Sequence, residues 1–244
     1  MSFRSSASTH VGMVRKINED SFVERTDTGV WAVADGMGGH QAGEVASGLV
    51  TDYIKNLPAE ENFSDMLAAV QQSITAANGN LVEQAADYGS NRVPGSTVVV
   101  LIINGSQGAV VWVGDSRIYR RRDNVVSQLT RDHSHVQDLV EQGLILESEA
   151  ESHPMANVIT RAVGIGEPLE IETRLMDVRV GDQFLLCSDG LSRLVTNTEI
   201  ESMMSHDDSL EITQSLLHTA LVRGAPDNVT LICVKDCQAG QDEL

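Results

Sequence analysis

The chain has 244 residues, 41% of them hydrophobic, which suits one sizeable domain and argues against two large ones. Its formal net charge of −18 and pI of about 4.6 repel nucleic acid and anionic membranes, so neither is expected as a partner. Three cysteines (Cys187, Cys233 and Cys237) make no disulfide framework, and the N-terminus carries no apolar signal core. A soluble, cytoplasmic monomer is the expectation.

In chain order, Val30–Ala34 reads as a buried strand and residues 44–57 as a helix. Leu67, Val70, Ile74, Ala77 and Leu81 step by three and four, the spacing of a second helix. Short apolar runs follow at 97–103, 109–113, 118–122, 125–129, 183–187 and 229–234, several joined by tight-turn pairs such as Asn104-Gly105 and Asp123-Asn124. Residues 210–222 form a further helix, capped by Asp208 or Ser209. Neighbouring strands with helices between groups of them predict antiparallel sheets flanked by helices, an α+β architecture, and not a doubly wound parallel sheet. The run Val98–Ile103 is far too short to span a bilayer. The polar stretch 131–158 is expected to be a mobile flap. Residues 1–236 are taken as one domain and 237–244 as a frayed tail. The arginines at 120–122 suggest an exposed edge strand, and His133 and His135 a solvated part of the flap.

Acidic residues recur at the ends of apolar runs, often beside glycine: Glu19-Asp20, Asp35-Gly36, Asp115, Asp189-Gly190 and Asp227-Asn228. An acid at a strand end is held rigidly yet faces a cleft, and the glycine allows close approach. One Asp-Gly alone is ordinarily a turn. Glu19, Asp35, Asp189 and Asp227 together carry about −4, which two hard, oxygen-seeking divalent cations neutralise.

The ordered set Arg15-to-Asp20, Asp35-Gly36-Met37-Gly38-Gly39-His40, Gly95-Ser96-Thr97, Gly114-Asp115-Ser116-Arg117, Asp132-His133-Ser134, Ile159-to-Gly164, Ser188-Asp189-Gly190 and Asp227-Asn228 resembles the type 2C, metal-dependent Ser/Thr protein phosphatases in their compact bacterial form. The match runs from Gly12 to Thr230. The resemblance implies a four-layer α/β/β/α sandwich of two packed antiparallel sheets. It implies Mn²⁺ or Mg²⁺, two in the core site, with Asp35 bridging, Glu19 and the Gly36 carbonyl on one ion, and Asp189 and Asp227 on the other. A third ion falls to Asp115 with Asp189. Asp20 orients water, Asn228 supports the Asp227 loop, and Arg15 takes the phosphate oxygens. Met37 stands where distant members place a histidine, leaving His40 as a candidate proton donor. The substrates implied are phosphoserine and phosphothreonine proteins, opposing a Ser/Thr kinase.

Three other readings compete. Cys187 and Arg193 have the Cys-x5-Arg spacing of cysteine-dependent phosphatases, but Asp189 between them opposes an anion. The glycine loop at 36–43 has Gln41 where a dinucleotide fingerprint needs glycine. A non-catalytic phospho-sensing or scaffold protein is expected to lack metal acids, and all the main ones are present.

Overall fold

A computed structural model describes residues 2–38, 42–88, 94–150 and 152–237. Eleven strands and seven helices alternate along the described residues. The strands are β1 (Phe3–His10), β2 (Asp20–Arg25), β3 (Val30–Met37), β4 (Gly95–Ser96), β5 (Val98–Asn104), β6 (Gln107–Val113), β7 (Arg117–Arg122), β8 (Val125–Gln128), β9 (Glu172–Asp177), β10 (Gln183–Cys187) and β11 (Val229–Asp236). The helices are α1 (Ala42–Lys55), α2 (Phe63–Tyr88), α3 (His135–Glu141), α4 (Glu147–Ala150), α5 (Asp189–Ser192), α6 (Asn197–Met203) and α7 (Ser209–Val222).

All strand pairs are antiparallel. One sheet has the order β1-β11-β10-β7-β8 and the other β2-β3-β5-β6-β9, with β4 on the end of β3. The central strands are apolar on both faces, and their period-2 alternation sorts side chains between two cores. In β3, Trp31 and Val33 face the opposing sheet while Val30, Ala32 and Ala34 face α1 and α2. In β5, Val99 and Leu101 point between the sheets and Val98 and Val100 toward the helices. In β10, Phe184 and Leu186 meet the first sheet's partner, whereas Leu185 and Cys187 pack on α5, α6 and α7. The result is the expected four-layer sandwich, with α1 and α2 on one outside and α5 to α7 on the other.

Two expectations are corrected, those for Arg120–Arg122 and for His133. The Arg120–Arg122 run is not an edge: β7 lies between β10 and β8, and Arg122 pairs with Asp182 at 2.7 Å. His133 is not solvated but 1% exposed; its Nδ1 accepts the Gly114 N–H at 3.1 Å and its ring stacks on Trp112. Burial lowers its pKa. The stretch 131–158 carries two short helices, α3 with Ser134 as its N-cap. Asp208, not Ser209, caps α7, accepting from the Leu210 N–H at 2.9 Å.

Phe184 is fully buried between the sheets. Phe184→Ala is expected to lower unfolding stability by about 3–5 kcal/mol, read as the midpoint shift in urea titration. A loss below about 1 kcal/mol would contradict an intact inter-sheet core there.

Candidate active site

The two sheets end together at one rim, and the chain passes between them there. Residues 11–19 carry it from β1 in one sheet to β2 in the other, bringing Arg15 and Glu19. Residues 114–116 carry it from β6 back to β7, bringing Asp115. Asp20 and Asp35 are cross-strand partners at the ends of β2 and β3. Asp189 opens α5 directly after β10, and Asp227 precedes β11. Arg15, Glu19, Asp35, Gly36, Met37, Asp115, Asp189 and Asp227 therefore line a single cleft of about 310 Å³, together with Asn157 and Arg193.

Backbone and hydroxyl bonds fix each acid. Thr97 N–H donates to the Asp35 carbonyl at 2.8 Å, and the Asp35 N–H donates to Thr97 Oγ1 at 3.1 Å. The Glu19 carbonyl accepts from Gly36 N–H at 3.0 Å and from Ser47 Oγ at 2.6 Å. Asn228, almost fully buried, holds the 11–19 crossing at three points: its Oδ1 accepts the Glu19 N–H at 2.8 Å, and its Nδ2 donates to the carbonyls of Val11 at 2.8 Å and Ile17 at 3.0 Å. Ser188 Oγ donates to Asp20 Oδ2 at 2.8 Å. Both Asp-Gly pairs need glycine for proximity. A Cβ at Gly36 would lie 2.1 Å from the Gly43 carbonyl oxygen, and one at Gly190 would lie 1.9 Å from that of Asn228.

These carboxyls crowd one another. Burial, then the charges of Asp20, Asp189, Asp115 and Asp227, hold Asp35 well above the ordinary carboxyl range. Burial raises Asp20 to about 7, with hydrogen bonds from Thr230 and Ser188 acting the other way. Burial and the Asp189 charge raise Asp115 to about 7, against the pull of Arg193. Asp189 is raised by burial while sharing a hydrogen bond with Asp35, and Glu19 is raised by burial against the Arg15 charge.

Two arginines hold the rim. Arg15 Nη2 lies 2.8 Å from Asp227 Oδ2, and Arg193 Nη2 lies 2.8 Å from Asp189 Oδ2 and 3.2 Å from Asp115 Oδ2. Glu19 Oε1 and Asp20 Oδ1 are buried without a hydrogen-bond partner. Among the described residues, no three acids close into a finished ligand cage. The set is open, with arginines as counter-ions on Asp227, Asp115 and Asp189. Orphaned buried carboxylate oxygens, all-oxygen donors and unrelieved negative charge fit hard divalent cations.

His40 lies outside the described residues. Asn157 is a cleft residue that the sequence did not suggest, and Arg193 was singled out only for its Cys-x5-Arg spacing with Cys187, not as the i,i+4 partner of Asp189 that it is. Cys187 is fully buried and pushed up to about 12 by burial, unlike a nucleophilic thiolate.

In the metal-free chain, the raised acids bind protons in the folded state that they lose when unfolded between about pH 4 and 7. Stability is therefore expected to rise as pH falls through that window. His133, whose lowered pKa acts oppositely below about 6.5, is outnumbered. The depressed Glu141 and Glu199 carboxyls act only below about 4.5. Thermal melts in chelator should show Tm climbing from about pH 8 to 5, less steeply in Asp20→Asn. A Tm falling over that range would contradict the crowding.

The model of the family described as protein phosphatase 2C matches residues 13–226. PstP of Mycobacterium tuberculosis is 37% identical over 98% of this chain, which spans 46% of that protein. A solved catalytic domain of PstP in complex with two manganese ions shares 36% identity and a TM-score of 0.87, covering 96% of this chain and 97% of its own. The Ser/Thr phosphatase Stp of Listeria welshimeri is 34% identical, covering 96% of this chain and 97% of its own length. PppA of Pseudomonas aeruginosa, described as a key regulatory component of T6SS, is 41% identical in its solved structure, with a TM-score of 0.90 over 96% of this chain and 98% of its own. Among the described residues no helix is long and apolar enough to cross a membrane. On the extent of these matches, the chain belongs to the protein phosphatase 2C family.

Proposed function

We propose that this chain hydrolyses phosphoserine and phosphothreonine in proteins, in the cytoplasm and in opposition to a Ser/Thr kinase, using two Mn²⁺ or Mg²⁺ ions. The observation that carries the reading is the convergence of Glu19, Asp35, Asp189 and Asp227 on one cleft bordered by Arg15. The two manganese ions of the similar PstP domain support the choice of cofactor. Asp35 would bridge the pair, Glu19 and the Gly36 carbonyl would complete one ion's protein ligands, and Asp189 and Asp227 the other's. Asp115 with Asp189 would take a third. Bound there, such ions supply Lewis acidity and lower the pKa of water from about 15.7 toward about 7.

The chain's own residues do the rest. Arg15 offers a planar fork to the phosphate oxygens. Its present partner is Asp227, so the guanidinium becomes available as the Asp227 charge is taken up. Asp20, the cross-strand partner of Asp35 and held by Ser188, would orient water at the ions. Asn228 holds the Glu19 and Asp227 segments in register, the role of an outer-shell support.

Asp189→Asn is expected to cut kcat on a phosphopeptide by roughly a hundredfold or more, and chelator to abolish turnover reversibly. Arg15→Ala should lower kcat/KM by roughly tenfold to a hundredfold. Metal-independent turnover, or full activity in Asp189→Asn, would overturn the mechanism. Activity lost on alkylation of the thiols would favour the Cys187 chemistry, and a folded, metal-loaded chain with no turnover would favour the scaffold reading.

A further inference from the structure

Arg193 is absorbed by none of the roles above. It is the C-cap of α5, one turn after Asp189. Its guanidinium spans the two carboxylates that face each other across the cleft corner, Nη2 reaching Asp189 Oδ2 at 2.8 Å and Asp115 Oδ2 at 3.2 Å. Through Nη1 the same group donates to Asn157 Oδ1, in the 131–158 stretch. Asp115 is only 6% exposed, so its charge has little help from water. The positive charge stands where a cation shared by the two acids would have to sit. Arginine cannot release its proton at working pH, so a divalent ion can displace it only as a whole side chain. Space for that exists. Arg193, Asp115 and Asp189 also line a second cavity of about 280 Å³, which extends away from the pair to Asp132, Glu147 and Asn197.

We propose that Arg193 is a tethered cation standing in for a divalent ion between Asp115 and Asp189, so that a third ion enters only when Arg193 leaves the pair. The inference rests on the reading of Asp115 and Asp189 as metal ligands. It also makes the exchange visible at a distance. When Arg193 leaves the corner, Asn157 loses its guanidinium partner, and the segment around it loosens.

The test is Mn²⁺ binding to the whole chain, by equilibrium dialysis with elemental analysis, for the wild type, Arg193→Met, Arg193→Lys and Arg193→Met/Asp115→Asn. Removing a like charge a few ångströms from the incoming ion should tighten the third, weakest site by about tenfold or more in Arg193→Met. Arg193→Lys, which keeps the charge and loses the fork, should fall between, and it serves where the Met variant does not fold. The double variant should lose the gain. Hydrogen exchange of residues 152–158 should quicken in Arg193→Met, and in the wild type at saturating Mn²⁺. Two ions bound equally by wild type and variants, with no change in the third site, would overturn the role of Arg193 alone. A wild type that binds no Mn²⁺ would overturn the metal reading itself, and this inference with it.

Discussion

Like charge held together in a poorly solvated corner is the constraint on which the rest of this structure depends. Two carboxylates about 4 Å apart repel by about 4 kcal/mol at an effective dielectric of 20. Here burial first, and then neighbouring charges, push Asp20, Asp35, Asp115 and Asp189 above their ordinary range, with Asp35 feeling all three of the others. A flexible loop would relieve that repulsion by moving. Glu19, Asp20 and Asp35 cannot move far, because their backbones are fixed by Thr97, Asn228, Gly36 and the sheet register itself. The stored repulsion is relieved by protons, by arginine or by metal. Which of the three is present sets the state of the site.

The sandwich explains how such rigidity is achieved at its rim. Central strands apolar on both faces bury one core between the sheets and one under each helical layer. The strand ends are therefore anchored from both sides. The chain must change sheets somewhere, and two of its crossings, at 11–19 and 114–116, fall at this rim. Crossing segments have fewer ladder bonds of their own, so their polar backbone is satisfied by specific side chains. Asn228 serves the first crossing and His133 the second. His133 thereby supports the segment that carries Asp115.

Much of this was legible in the sequence. Fully buried strands announce themselves as apolar runs, and β10 falls at the expected residues. The strand-end acids were visible because Asp-Gly after an apolar run has few other uses when repeated in order. The strands β1, β2 and β9 were missed for a physical reason: they sit at sheet edges, rich in polar residues and only partly buried. The Arg122 side chain looked free because its partners, Asp177 and Asp182, lie more than fifty residues away in sequence. Sequence distance likewise hid the partners of Arg193, which the sequence offered only as the mate of Cys187: its pairing with Asp189 is local, but Asp115 and Asn157 reach it only through the fold.

The two arginines of the cleft act in the same electrostatic currency, and this gives the proposed chemistry an order. Arg15 and Arg193 compensate Asp227, Asp189 and Asp115 in the metal-free chain. In the proposed chemistry, cations entering the site would take over that compensation and release each arginine toward a different surface. Arg15 is half-exposed at the cleft mouth. Arg193 borders the second cavity, beneath α3 and α4. In that chemistry metal and phosphate binding would be coupled through Asp227, since a guanidinium held by a carboxylate must be freed before it can hold an anion. The same logic makes phosphate binding in the metal-free state doubly unfavourable. The anion would meet unpaired carboxylates, and the arginine meant for it would still be engaged.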